Sequence, residues 1–353
     1  INFRDINEMK KNKLLWFFIA LILSVLTIIT VFKNSGLSFV EFTQNIKESS
    51  APWLIAAICC TILYIILEGE ALVQILKGLG LPAHHHRGFL YSAADIYFSS
   101  ITPSASGGQP ASAYFMMKDG LPGPAVTVSL IVNVTMYTLS IITLGLFTLI
   151  VRPGYFDDFS IPGEIAIIFG IVIMVLLVAG FLILLKNQKI LMRFGKVVIS
   201  ILQKLHLRRE AVKLENKLES LIANYNECVD LIAGKKAMLI KVYLLNLFQR
   251  AAQIMVTVCS YFALHGDIDN GLNIFAIQTY VVLGSNFIPV PGAIGISEYL
   301  MFFGYQLFMD EASTYNVAIL SRGISFYTCI IISIITVILG YIQIKLKARL
   351  KSK

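Results

Sequence analysis

The chain has 353 residues, of which 57% are hydrophobic and 14% charged, and its mean hydropathy is +0.76. A water-soluble chain of this kind carries roughly a quarter charged residues, so a soluble globular enzyme and a disordered chain are both excluded. A net charge of +8 on so apolar a chain points to anionic lipid rather than nucleic acid, because little soluble surface is left for a basic groove.

A membrane-spanning helix takes about 20 mostly apolar residues. In chain order, six segments meet that length: Leu14–Phe32, Pro52–Leu76, Pro122–Val151, Pro162–Leu185, Ile240–Leu264 and Thr314–Ile344. The first is too long for the apolar part of a cleavable signal and has no Ala-x-Ala exit, so it reads as an anchor. Two further stretches, Gly88–Met117 and Leu272–Met309, are each broken by a Pro/Gly cluster into pieces that are short for a full crossing. The fold class is all-α: a polytopic helical membrane protein with six full spans and two broken-helix hairpins, forming one integral membrane domain over residues 1–353.

The basic residues orient the chain. Stretches 1–13, 77–118, 186–241 and 345–353 hold 4, 3, 12 and 5 Lys or Arg, 24 of the 29. The intervening loops hold three, and Arg250 and Arg322 fall inside apolar helices. The positive-inside rule makes the first group cytoplasmic, with both termini inside. Gly88–Met117 then begins and ends on the cytoplasmic side, and Leu272–Met309 begins and ends on the outer side. Each is expected to be a hairpin, either two short spans or a re-entrant loop. Broken hairpins entering from opposite faces mark an inverted repeat; ordinary helices kinked by Pro and Gly are the alternative. Residues 187–233 are expected to form cytoplasmic amphipathic helices. The first carries Leu191, Phe194, Val198, Ile201 and Leu205 at helical spacing and lies on the inner membrane surface. The second, with Leu214, Leu218, Leu221, Tyr225 and Val229, packs on the first.

Charge at membrane depth is costly and defaults to function. At 1.5 Å per residue, Arg250 lies about 15 Å along its helix from Ile240, and Arg322 about 12 Å from Thr314. Both fall near the midplane, and Glu298 follows the second hairpin tip. Two Arg against one Glu leave one positive charge, and a planar guanidinium suits phosphate oxygens. The helices returning after Gly108 and Gly295 would present free N–H groups to an anion. Gln109, Asn133, Asn246, Gln249, Gln253, Gln278 and Asn286 are candidates to line a wet path beside them. The expectation is a midplane phosphate site; the alternative is a structural pair of Glu298 with Arg322 or Arg250. Glu68, Glu70 and Asp95 lie nearer the cytoplasmic end as candidates for proton coupling, with hydrogen-bonded structural acids as the alternative. His84, His85, His86 and Arg87 read as an interfacial basic cluster rather than a metal site. No GxSxG, HExxH or CxxC occurs, and no enzyme activity, cofactor or metal is expected.

Two motifs and one helix carry a family resemblance. Gly107-Gly108-Gln109-Pro110, preceded by Pro103, resembles a Pro…Gly-Gly-Glu-Pro-x-Arg motif. The run from Pro289 through Pro291, Gly292, Gly295 and Ser297 to Glu298 resembles Pro-x-Pro-Gly-Gly-x-Gly-x-x-Glu. Ser321-Arg322-Gly323 resembles the Arg motif of the last helix. Together they resemble the lysylphosphatidylglycerol synthase/flippase membrane domain, the membrane half of bacterial multiple peptide resistance factors. Gln109 stands where the family often has an acid, and Ala111 or Ser112 where it often has Arg. The family's soluble lysyltransferase domain does not follow Lys353, so the expectation is lipid translocation rather than lysyl transfer. The resemblance implies a bacterial cytoplasmic membrane protein that moves an anionic or aminoacylated phospholipid, or a polyprenyl-phosphate-type lipid, between leaflets. Its lipid-binding residues would be Arg250, Arg322, Glu298, Gln109, Gly107, Gly108, Pro291, Gly292, Gly295 and Ser297. Its partners would be membrane phospholipid and a separate lipid-modifying transferase, with no nucleic acid. The open alternatives are a membrane subunit of a lysyltransferase-type system and a secondary transporter of a soluble anion.

Overall fold

Pro at the first turn costs a helix nothing, since its missing N–H would be unpaired there anyway. Pro52, Pro124 and Pro162 open three long apolar helices this way, Ala51–Gly78, Gly123–Val151 and Ile161–Lys186. The computed structural model describes residues 39–102, 105–156, 159–204, 208–286, 291–293 and 295–350, and these are helical apart from short connections. The helices are α1 (Phe39–Glu48), α2 (Ala51–Gly78), α3 (His85–Ile101), α4 (Gly108–Lys118), α5 (Gly123–Val151), α6 (Ile161–Lys186) and α7 (Gln188–Lys204). They continue as α8 (Arg208–Ala233), α9 (Lys236–Ala263), α10 (Gly271–Ser285), α11 (Ile296–Tyr305), α12 (Glu311–Arg322) and α13 (Cys329–Leu350).

Five of the described helices are long and apolar enough to cross a membrane: Ala51–Gly78, Gly123–Val151, Ile161–Leu185, Lys236–Ala263 and the compound helix Glu311–Leu346. The expected first span, Leu14–Phe32, lies outside the described residues. Large apolar side chains face outward along α2 (Ile55, Ile62, Leu63, Ile66) and α6 (Ile165, Phe169, Val172, Leu176). Such a girdle suits hydrocarbon and not water. Thr61, Thr138, Ser140, Thr143 and Thr279 each donate to the carbonyl four residues earlier, which satisfies hydroxyls where no water is at hand. The chain is a multi-pass helical membrane protein.

The central pair is α2 and α9, which share the most extensive helix contact. They run antiparallel, for Lys235 bonds the Gly78 carbonyl at one end and the Ser50 N–H bonds the Ala263 carbonyl at the other, at 2.8 Å. The two interrupted segments attach at opposite ends of this pair. At the Gly78 end, α3 and α4 form an antiparallel hairpin: Arg87 meets Asp119 at its base, and Asp95 meets Gln109 near its break. At the Ala263 end, α10 and α11 form the second: Tyr305 bonds Gln278 at its base, and Gly284 abuts Leu300 toward its break.

Each hairpin has its own apolar core. Leu72, Leu76, Leu90, Tyr91, Phe115, Met116 and Leu130 bury the first, and Ile167, Ile254, Ile274, Ile277, Leu300 and Met301 are part of the core around the second. Glycine permits the closest approach: a methyl on Gly69 would lie 2.6 Å from the Gly88 backbone, so α2 and α3 cross backbone to backbone. The expected single helix Thr314–Ile344 is interrupted by a π-helical turn, Gly323–Thr328, directly after Arg322. The expected amphipathic helices are α7 and α8, and they pack together. They differ from expectation in one respect: Tyr225 and Ile232 of α8 also pack on Ala71, Ile75, Val132 and Val242 of the bundle, so this helix belongs to the protein core.

Candidate functional site

The second hairpin breaks at a glycine-rich turn, Pro291–Ala293, followed by Gly295. Gly292 has φ 63° and a Cβ there would sit 2.4 Å from the Phe326 ring, so both backbone and space require glycine. Where α11 begins, the Glu298 carboxylate accepts the Gly295 N–H at 2.7 Å and the Ser297 hydroxyl at 3.0 Å. This neutralises the positive end of the helix from within. Arg322 donates to the other Glu298 oxygen at 2.8 Å and to the Gly292 carbonyl at 2.9 Å. Its guanidinium lies 4.8 Å from the centroid of the Phe326 ring, four residues on in the π turn. Of the two pairings left open, the structure makes Glu298–Arg322.

The first hairpin is built differently. Asp95 of α3 sits on the first turn of α4, accepting from Ser99 at 3.0 Å and from the Gln109 amide at 2.5 Å. A Cβ on Gly108 would be 2.0 Å from an Asp95 oxygen and from the Ser99 hydroxyl, so only glycine lets the carboxylate approach. Gly107 donates its N–H to Thr102. The start of α11 is thus capped by a carboxylate of the chain itself, whereas Asp95 lies beside the first turn of α4 and accepts from side chains there.

The two breaks face one cavity of about 480 Å³. Its wall includes Glu68, Asp95, Gln109, Arg250, Gln278 and Arg322. Arg250 and Arg322 therefore share a site. Arg250 is 8% exposed and lies between two rings, 4.4 Å from the Tyr137 centroid and 5.5 Å from that of Tyr64. One of its terminal nitrogens donates to Gln253 at 2.8 Å, and its Nε has no partner. Among the described residues no carboxylate lies within ion-pair distance of it. A second cavity of about 350 Å³ is lined by Glu298 and Arg322 together with Gly295, Tyr299, Phe302 and Ile319 among others.

A family model described as the lysylphosphatidylglycerol synthase TM region matches residues 17–333. The chain belongs to this family. No curated protein matches it. The match spans both hairpins, the cavity and the Arg322 turn, so the site lies within the part of the chain that defines the lysylphosphatidylglycerol synthase TM family.

Of the residues read from sequence, Arg250, Arg322, Gln109, Gly292, Ser297, Glu68 and Asp95 line the central cavity. Gly295 and Glu298 line the second cavity instead. Gly107 and Gly108 shape the first break without lining either cavity, and Pro291 opens the second turn. Glu70 is elsewhere: it binds His85 and Gln74 at the Gly78 end, where His84 and His86 stack at 5.6 Å. Among the described residues no group of three or more side chains has the make-up of a metal site. Of the expected polar lining, Asn133 and Asn246 bond each other, and Gln249 donates to Glu68 at 3.0 Å. Tyr64, Tyr137, Ser99 and Phe326 were not singled out by sequence. The one available signal for Tyr64 and Tyr137 was aromatic residues with polar tips inside apolar spans. The one-charge excess expected from two Arg against one Glu also changes. Glu68 and Asp95 join the same cavity, because α3 packs against α2, their backbones touching at Gly69 and Gly88.

Proposed function

We propose that this protein binds the anionic headgroup of a phospholipid, or of a polyprenyl-phosphate-type lipid, in the central cavity and carries it between the leaflets of a bacterial cytoplasmic membrane. The observation that carries the reading is Arg250: a guanidinium at the wall of a buried cavity, held by two aromatic faces and an amide, with an unpartnered Nε. A buried, permanently charged fork of this kind suits a phosphate diester. The apolar groove beside Glu298 and Arg322 offers an acyl chain a surface next to the headgroup site. The two hairpins enter the membrane as re-entrant halves of an inverted repeat, both termini are cytoplasmic, and rocking of one hairpin unit against the other alternates access to the cavity.

Purified protein in vesicles of phosphatidylcholine and phosphatidylglycerol, with fluorescent phosphatidylglycerol in both leaflets, tests this. The protein is expected to make inner-leaflet probe accessible to an external quencher. Arg250→Ala is expected to slow that exchange about tenfold or more, since a hydrogen bond to a charged group contributes roughly 1.5–3 kcal/mol. Equal exchange by the two proteins removes Arg250 from the path. The family description supports a second reading, a membrane subunit that presents lipid to a lysylphosphatidylglycerol-forming transferase. Copurification of a transferase whose activity needs this chain favours it.

A further inference from the structure

Glu68 of α2 and Asp95 of α3 are both 7% exposed and line the same cavity, close enough for each to feel the other's charge. Two carboxylates charged together in one buried cavity repel each other, and a proton held between them relieves that repulsion. Neither is in an ion pair among the described residues. Glu68 takes a hydrogen bond from the Gln249 amide, and Asp95 from Gln109 and Ser99. These neutral donors serve the acids without fixing their charge. The Oε1 atoms of Gln109 and Gln249 and the Nε of Arg250 are buried and unpartnered, so the polar shell is built for more than it holds.

The groups facing the pair are few. Arg250 comes from α9, Tyr137 from α5, Tyr64 from α2 itself and Cys329 from α13. Arg322 lies on the cavity wall, matched by Glu298. From α8, Tyr225 packs on Ala71 and Ile75, beyond the pair. The charge that the pair answers to is therefore that of Arg250 and of whatever Arg250 binds.

We propose that Glu68 and Asp95 form a proton-binding site that takes up a second proton when an anion occupies Arg250. With one shared proton the pair carries one negative charge and balances Arg250 across the cavity. An arriving phosphate adds a negative charge to a space of low dielectric, which favours protonating the pair fully. The proton comes from water, forms one O–H bond on a carboxylate oxygen, and returns to water when the anion leaves. Lipid movement is then coupled to a proton gradient. This rests on the anion-binding reading of Arg250 and deepens it.

Calorimetric titration of the full chain in detergent with dihexanoyl phosphatidylglycerol, in two buffers of different ionisation heat, counts protons per binding event. The expected result is uptake of about one proton by the wild type near neutral pH, and none by Glu68→Gln or Asp95→Asn. Binding with no proton uptake overturns the inference. Absence of binding overturns the anion reading, and infrared spectra then decide the proton site independently. A buried protonated carboxyl band present in the wild type and lost in both variants keeps the site; its absence from the wild type removes it. Because the proton is shared, Glu68→Gln alone suffices if Asp95→Asn does not fold. A folded Glu68→Gln that keeps the uptake also overturns the proposal.

Discussion

The two hairpins share a plan and differ in their charge. Each is an antiparallel helix pair broken at glycines, each sets a carboxylate on the first turn of its returning helix, and both breaks face one cavity. In hairpin two the acid is matched: Glu298 is held by Arg322, the Gly295 N–H and Ser297. In hairpin one the acid shares the cavity wall with another acid, Glu68, and amides and a hydroxyl donate to the two. The cation of that half, Arg250, stands across the cavity between two tyrosines. A matched ion pair of this kind holds the turn in shape. Arg250, with no carboxylate in ion-pair distance among the described residues, shares its cavity with two acids and is where the proposed ligand binds.

The comparison is broken most directly at Glu298. Glu298→Ala leaves Arg322 without its counter-charge and removes the cap from α11, and is expected to cost about 3 kcal/mol. That is the low end for buried pairs, because the two side chains keep 22% and 14% exposure. A thermal unfolding midpoint in detergent measures it, and Glu68→Ala, which breaks no ion pair, is expected to shift the midpoint less. A larger shift at Glu68 would reverse the roles assigned to the hairpins. Next is Gly108→Ala, whose methyl collides with Asp95 and Ser99. The cost is expected to be about 2 kcal/mol from overpacking, read in the same assay. Smallest is Gly295→Ala. Nothing lies within 4 Å of a Cβ there, so only its positive φ of 89° matters and about 1 kcal/mol is expected. A cost at Gly295 equal to that at Gly108 would mean that the second break is packed as tightly as the first.

Much of this plan was legible in the chain. The two antiparallel helix pairs could be read because Pro/Gly clusters interrupt apolar runs at their turns. Arg250 and Arg322 could be read because charge in an apolar helix is rare and costly. That Glu68 and Asp95 line the same cavity as Arg250 and Arg322 was not legible, since position along a helix does not show which neighbours it faces. Tyr64 and Tyr137 carried no pattern of their own, because an aromatic in an apolar span reads equally as core or as cavity wall.

Apolar run length and the sorting of basic residues by themselves determined a helical membrane protein with two interrupted segments, because hydrocarbon admits helices of a minimum length and few charges. Which acid meets which arginine was decided only by the tertiary structure. Glu298 lies 24 residues from Arg322 and Glu68 lies 181 from Gln249, and such pairings depend on how helices cross and where glycines let them touch. The local charge of a cavity belongs to the fold that encloses it.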